Sequence, residues 1–302
     1  MKKLYAILLV SILVLTGCGD KTEDATIRIG SMPSLTSIPF IYADEEDIFD
    51  KYGLDVELTI FKSSAEEAAA LKGGSLDVIN NDLPLTGTIL EDGFDGVVSA
   101  RTTELFSVLS GPKSEYKTLE YLKGKTIKVG LSQASFAEML MEQFADKYEF
   151  TMEPVNIQAL GDRFGAMMSG DVDLALLPEP FATLTKVKTG NVLFQNTEGP
   201  YLTNLTWNRE FVEAHEVAFK NFHKALEEAT NTVRELPFST FKEDVVEYGI
   251  VDADTYDLIQ GYEFEELTPV QKTDFDNSMA WLKEKNLITK EFNYDDIFVD
   301  WK

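Results

Sequence analysis

Apolar runs and amphipathic stretches alternate along this chain, and their order predicts strands and helices in succession. Ile27 to Gly30 is a compact apolar run ending at a glycine, read as a buried strand, and Ser31 to Thr36 form the loop after it. Thr36 or Ser37 can cap the next helix, with Pro39 in the first turn, where a missing N–H costs nothing. That helix carries Phe40, Ile41, Ile48 and Phe49 on one side and Asp44-Glu45-Glu46-Asp47 on the other. Leu54 to Phe61 alternates apolar and polar as a strand. Ser63 or Ser64 then caps an alanine-rich helix closed by Gly73-Gly74.

This order implies parallel pairing with right-handed crossovers, and such sheets bind ligands beyond the carboxyl ends of their strands. Ser31 to Thr36 and Asn80 to Pro84 are thereby placed on one rim, which makes Ser34, Leu35, Asn81 and Asp82 candidate ligand contacts.

The pattern repeats. Gly74-Ser75-Leu76-Asp77-Val78 is echoed by Gly170-Asp171-Val172-Asp173-Leu174, and Pro84 then falls on Pro180. Each copy runs from a helix through Gly and Asp into a short buried strand and then a loop with an acid and a proline. The loops are Asn80-Asn81-Asp82-Leu83-Pro84 and Leu177-Pro178-Glu179-Pro180. Ile27-Arg28-Ile29-Gly30 has its own echo in Ile127-Lys128-Val129-Gly130. Two similar α/β lobes follow, with a cleft between them.

In the second copy Ser132 to Phe136 open a helix whose free amide N–H groups favour a ligand oxygen. Gln133, Ser135 and Phe136 join the candidates on that ground, although capping alone would also explain the serines. The chain crosses to the second lobe near 99–113, beside Thr102, and returns around 194–207, with Tyr201, Asn204 and Thr206 on a second hinge strand. Two crossings make a hinge for closure on a ligand. The expected division is 27–110 with 205–302 as the first lobe and 111–204 as the second. In the tail, Phe211, His215, Ala218, Phe222, Leu226, Ala229 and Val233 form an apolar stripe with His223 beside it, so both histidines read as packing residues. Thr268-Pro269-Val270-Gln271 reads as a capping-box start of a helix to Lys285.

The first residues change the picture of where this happens. Lys2-Lys3, an apolar run from Leu4 to Leu15 and Thr16-Gly17 read as a secretory signal of 1–17, too short to span a bilayer. Leu15-Thr16-Gly17-Cys18 resembles a bacterial lipobox, which would make Cys18 the lipidated first residue, anchored to the cell membrane through a polar tether over 18–26. Cys18 is the only cysteine, which excludes an intramolecular disulfide and a Cys-based metal site. Without residues 1–17 the chain keeps 25 basic against 52 acidic residues, a net −27, a charge that repels nucleic acid. No catalytic motif, cofactor loop or metal cluster stands out.

Phe49-Asp50-Lys51-Tyr52-Gly53-Leu54-Asp55-Val56-Glu57-Leu58, then Ala70-Leu71-Lys72-Gly73-Gly74-Ser75-Leu76-Asp77, resemble phrases of the solute-binding proteins of ABC importers. The branch is the one of alkanesulfonate, nitrate, taurine and thiamine-pyrimidine binders, and Thr118 to Lys125 resembles its turn into the second lobe. The second glycine of Gly73-Gly74 and the acids at 44–47 depart from it. The resemblance covers about 27–235. It implies the type 2 periplasmic binding protein fold: two α/β lobes with mainly parallel sheets, two hinge crossings and a helical C-terminal return.

It also implies an extracytoplasmic, monomeric, non-enzymatic protein without a cofactor, partnered by a small-molecule ligand, an ABC permease and its ATPase. Glu179, Pro180 and Phe181 match the family's acid, proline and aromatic, so Glu179 and Phe181 become candidates, with Phe40 as a further aromatic face. A sulfonate would want donors such as Arg101 or Arg163. A thiamine-precursor pyrimidine would want aromatic faces and Asp82 or Glu179 as acceptors, and the acidic loops favour it over sulfonate, nitrate or flavin. A lipoprotein presenting its ligand to a membrane sensor would share every one of these features. A pyrimidine-synthase-like enzyme would need a cysteine cluster and a reactive histidine, which this sequence lacks.

Overall fold

The computed structural model describes residues 25–197, 202–259 and 261–302. The signal, Cys18, most of the tether and Tyr201 lie outside the described residues. Among the described residues no helix is long and apolar enough to cross a membrane.

Among the described residues, two sheets of the same plan form the framework. The first contains β1 (Thr26–Ser31), β2 (Asp55–Ile60), β3 (Val78–Asp82) and β4 (Gly96–Arg101). The second contains β5 (Phe106–Ser110), β6 (Thr126–Leu131), β7 (Thr151–Asn156), β8 (Leu174–Pro178) and β9 (Asn191–Gln195). The chain then returns to the first sheet with β10 (Thr203–Asn208) and β11 (Thr268–Pro269). The orders are β2-β1-β3-β10-β4-β11 and β7-β6-β8-β5-β9. In each, three strands are parallel, and the strand that follows a crossing inserts antiparallel: β10 between β3 and β4, β5 between β8 and β9.

Those antiparallel strands shift the expected boundary. Phe106 to Ser110, assigned by sequence to the first lobe, pair with β8 and β9 and belong to the second sheet. The first crossing is therefore 102–105. Thr203 and Asn204, assigned to the second lobe, already pair with β3, so the second crossing is complete before Thr203. An extended run looks the same whichever sheet it joins, and the Gly111-Pro112 break marks the end of a strand.

A glycine in each central strand sets how closely helix meets sheet. A Cβ on Gly30 would lie 2.7 Å from Leu76 Cδ1 and 3.2 Å from Glu67 Cγ; a Cβ on Gly130 would lie 3.2 Å from Val172 Cγ2 and 3.3 Å from Arg163 Cγ. Leu76 and Val172, like Glu67 and Arg163, are separated by the same 96 positions as the repeat read in the sequence. The two lobes thus share their side-chain packing plan as well as their strand order.

The tail completes the first lobe and reaches the second. The helix Glu216–Glu235 packs Phe219, Phe222 and Leu226 against Trp207 and the helices over 38–51. His223 is the fully buried histidine, bonded to Ser99 Oγ and to the Phe219 carbonyl, and burial lowers its pKa to about 3. His215, read as part of the apolar stripe, is only half-buried at a helix junction, its ring tilted against Phe211. The capping box does not form: Thr268–Pro269 is β11, and Gln271 is the cap of the helix Lys272–Glu284. That helix crosses the lobes, since Trp281 Nε1 donates to Glu142 Oε2 at 2.8 Å and Lys285 pairs with the same carboxylate.

Candidate ligand-binding site

The carboxyl ends of β1, β3, β6 and β8 face one another across the lobes, which are drawn together. Leu35 N–H donates to the Glu179 carbonyl at 3.3 Å, and Ser63 and Ala159 form an isolated antiparallel bridge. Ser63 and Ala159 are the N-cap residues of the helices Ser64–Lys72 and Leu160–Ser169, and they too are 96 positions apart.

Beneath this seam lies a cavity of about 60 Å³. The first lobe contributes Met32, Ser64, Glu67, Asn80, Asn81, Asp82, Leu85 and Thr203, and the crossing contributes Glu104. The second lobe contributes Phe106, Ser132, Ser135, Ala137, Gln158, Leu160, Arg163 and Pro178. On the far side of Glu104–Leu105 and Pro178–Glu179 is a larger groove of about 530 Å³, lined by Leu105, Glu179, Thr183, Lys186 and the segment around Tyr262.

Four ionisable groups line the inner cavity. Glu67 has no solvent exposure, and neither of its carboxylate oxygens has a hydrogen-bond partner. Burial, then the nearby Glu104 and Asp82, push its pKa well up. Glu104 is pushed up to about 7 by burial, opposed by the Ser34 hydroxyl and reinforced by Asp82. Ser34 thus lies close to Glu104, yet neither Ser34 Oγ nor Glu104 Oε1 makes a hydrogen bond of ordinary geometry. Asp82 rises to about 6 through burial, opposed by the Leu85 and Phe136 amides and by Arg163. It caps its own helix through Leu85 N–H at 2.9 Å. Arg163 is the single cation; burial lowers its pKa to about 10, against the pull of Asp82. Its guanidinium donates to the carbonyls of Ile157, Leu176 and Gln158 at 2.8, 2.9 and 3.4 Å. Buried polar groups are normally paired, so the concentration of unpartnered acceptors here is unusual.

The candidates read from sequence distribute unevenly over this geometry. Asn81, Asp82 and Ser135 line the cavity, and the Phe136 amide lies near enough to favour the charged form of Asp82. Ser135 Oγ itself turns back to the Ser132 carbonyl. Asn81 is tied to Thr206 and Thr86, and Asn204 donates to the Asn81 carbonyl, so Asn204 supports the wall from within the first lobe. Thr102 likewise holds Asn80 Oδ1 at 2.7 Å. Ser34 sits by Glu104, and Leu35 closes the seam.

Four candidates fall elsewhere. Phe40 is core, buried beneath the Glu216–Glu235 helix. Gln133 is exposed, with its amide bonded to Asn156 Oδ1. Phe181 packs on Phe164 within the second lobe. Glu179 binds Thr183 N and Oγ1 and faces the outer groove. The reason is register: Asp82 and Pro178 end their strands 96 positions apart, so Glu179 is one residue past the position of Asp82 and points to the opposite side.

Sequence reading missed Glu67 and Glu104 and considered Arg163 only as a sulfonate donor. Glu67 follows Glu66 in an alanine-rich helix, a pattern that reads as a solvated face. The signal that would have found it is that Glu67 and Arg163 obey the repeat spacing.

Known proteins resemble the chain along most of its length. The NMT1/THI5-like family profile matches residues 34–239. A curated relative, outer membrane lipoprotein 1 of Mannheimia haemolytica, is 23% identical over 275 residues, covering 81% of this chain and 98% of the relative. Among solved structures, the alkanesulfonate-binding protein SsuA of Xanthomonas axonopodis pv. citri, bound to MOPS, superposes with a TM-score of 0.77 at 16% identity, over 92% of this chain and 99% of that one. The ligand-binding component of an ABC-type import system from Staphylococcus aureus also gives 0.77, at 15% identity over 91% and 96%. These similarities establish a two-lobed binding-protein fold.

Proposed function

The chain belongs to the NMT1/THI5-like family, and from that premise we propose that it is a lipid-anchored, extracytoplasmic solute-binding protein of an ABC importer. It captures a small N–H-donating solute by closure of its lobes, acts as a monomer, and hands the solute to a permease driven by its ATPase. It binds and does not catalyse.

One observation carries the reading: a cavity between two hinged lobes where buried carboxylates outnumber cations three to one. Such a lining accepts hydrogen bonds from a solute and repels sulfonate and nitrate. An amino-bearing thiamine-precursor pyrimidine fits that polarity. One water needs about 10–15 Å³ of such space, so the cavity in this conformation holds a group of roughly four or five heavy atoms. A whole pyrimidine therefore enters with the lobes further apart. The lipoprotein name of the curated relative supports the anchoring through Cys18.

A thermal-shift panel of aminopyrimidines, sulfonates, nitrate and flavins tests the reading. A true ligand at 100 times its Kd should stabilise by about 2.7 kcal/mol, and scattering should show a smaller radius of gyration with it. If no member of the panel stabilises the protein and the radius never changes, the reading fails.

A further inference from the structure

We propose that the inner cavity takes a compact organic cation, whose positively charged nitrogen sits between Glu67 and Glu104. The inference rests on the solute-binding reading and sharpens it from a hydrogen-bond donor to a charge.

Internal pairing decides which groups are left for a ligand. Asp82 accepts the Leu85 amide at 2.9 Å and is drawn to the Arg163 guanidinium. Arg163 is held by three backbone carbonyls. Glu67 has neither oxygen bonded, Glu104 has Oε1 unbonded, and the hydroxyl of Ser34 beside Glu104 is unbonded too. All three residues are at least nine-tenths buried. Leaving buried charged acceptors unpaired is expensive. An anion placed there would meet two carboxylates, and a neutral amide could donate hydrogen bonds without balancing their charge. An ammonium, guanidinium or amidinium group does both, because it carries several N–H donors and a full positive charge. The cavity volume of about 60 Å³ suits such a group, with any larger body of the solute reaching past the seam.

The site is proton-linked. The titratable groups lining it are Glu67 on the Ser64–Lys72 helix, Asp82 at the end of β3, Glu104 in the crossing and Arg163 on the Leu160–Ser169 helix. All three acids have raised pKa values, Glu104 at about 7 and Asp82 at about 6, so at pH 6 with no cation present Glu104 is mostly protonated and Asp82 about half so. A bound cation favours their charged forms. Binding must therefore release protons and tighten as pH rises from 6 to 8.

The probes are methylammonium and guanidinium, with acetamide as the neutral control and methanesulfonate and nitrate as anionic ones. Affinities are measured on the purified protein by NMR titration at pH 6 and pH 8 and constant ionic strength. The expected result is saturable binding of both cations, at least tenfold tighter than acetamide and several-fold tighter at pH 8. Calorimetry in two buffers of different ionisation enthalpy should report proton release. Glu67→Gln, which keeps the shape and removes the charge, should weaken the cations at least tenfold, and Glu104→Gln supplies the same test should Glu67→Gln fold poorly. Tighter binding of methanesulfonate or nitrate than of methylammonium overturns the cation and leaves the solute-binding reading standing. So does cation binding that neither variant changes. Failure of every probe overturns the cation as well, and the thermal-shift panel above then decides the broader reading separately.

Discussion

Glu67 and Arg163 occupy the same place in the two lobes. Each lies on the helix between the second and third strands of its parallel trio, and each has its Cγ over a glycine of the central strand, Gly30 in one lobe and Gly130 in the other. Their fates differ. Arg163 spends its donors on the carbonyls of Ile157, Gln158 and Leu176, which fastens the helix start to the strand ends of its own lobe. Glu67 fastens nothing, because both of its oxygens are without a partner. A duplicated framework therefore holds a structural group in one copy and a group reserved for something else in the other. The contrast is chemical: an arginine has five donors to match nearby carbonyls, whereas a carboxylate only accepts and cannot satisfy them.

The largest effect that would break this contrast is on stability. Arg163→Met removes a buried cation and orphans up to three carbonyls, so it should cost about 3 to 5 kcal/mol in urea unfolding without ligand. Glu67→Gln should stay within about 1 kcal/mol of the parent, since it deletes no internal bond. If the two substitutions cost the same, Glu67 is structural after all.

The next effect is on pH. Glu104 and Asp82 have folded-state pKa values of about 7 and about 6, above their ordinary 4.5 and 3.8. A raised value means protons are bound more tightly in the folded state, so this contribution is complete below about pH 4 and is lost as pH rises through 6 to 7. The ligand-free protein should therefore lose stability between pH 5 and pH 8. Glu104→Gln should remove on the order of 2 to 3 kcal/mol of that decline. A slope unchanged by Glu104→Gln would mean that the cavity acids do not set it.

The smallest effect sharpens the packing side of the comparison. Gly30→Ala drives a methyl to 2.7 Å from Leu76 Cδ1, whereas the nearest contact in Gly130→Ala is 3.2 Å. The first should cost about 1 to 2 kcal/mol and the second less than about 1, because overpacking grows steeply with overlap. Thermal melts of both variants check the ranking. Equal costs would show that the two lobes are packed alike at this point.

How much of this was legible beforehand depends on what each feature leaves in the sequence. The repeat was legible, because Gly74 and Gly170, Asp77 and Asp173, and Pro84 and Pro180 share one spacing. Asp77 and Asp173 also act alike, accepting the Arg28 and Lys128 amides, as residues that brace the turns. Pairing Glu179 with Asp82 was one residue out of register, and on extended backbone a single position exchanges the two sides of a sheet. The outward turn of Gln133 and the inward turn of Glu67 were illegible because both sit among residues whose pattern is equally compatible with exposure. Glu104 was illegible for another reason: a crossing has no periodicity from which to read which side faces inward.

The seam has a consequence for how long the lobes stay shut. Two of its links, the Leu35 N–H to the Glu179 carbonyl and the Ser63–Ala159 bridge, run between main chains, and the side-chain links of Trp281 and Lys285 to Glu142 lie outside the cavity. Substitutions in the cavity leave these links in place, and ordinary substitutions at Leu35, Glu179, Ser63 and Ala159 leave their peptide groups intact. Natural variation can therefore retune what the cavity prefers without resetting the latch, so that selectivity and dwell time are free to drift apart between relatives.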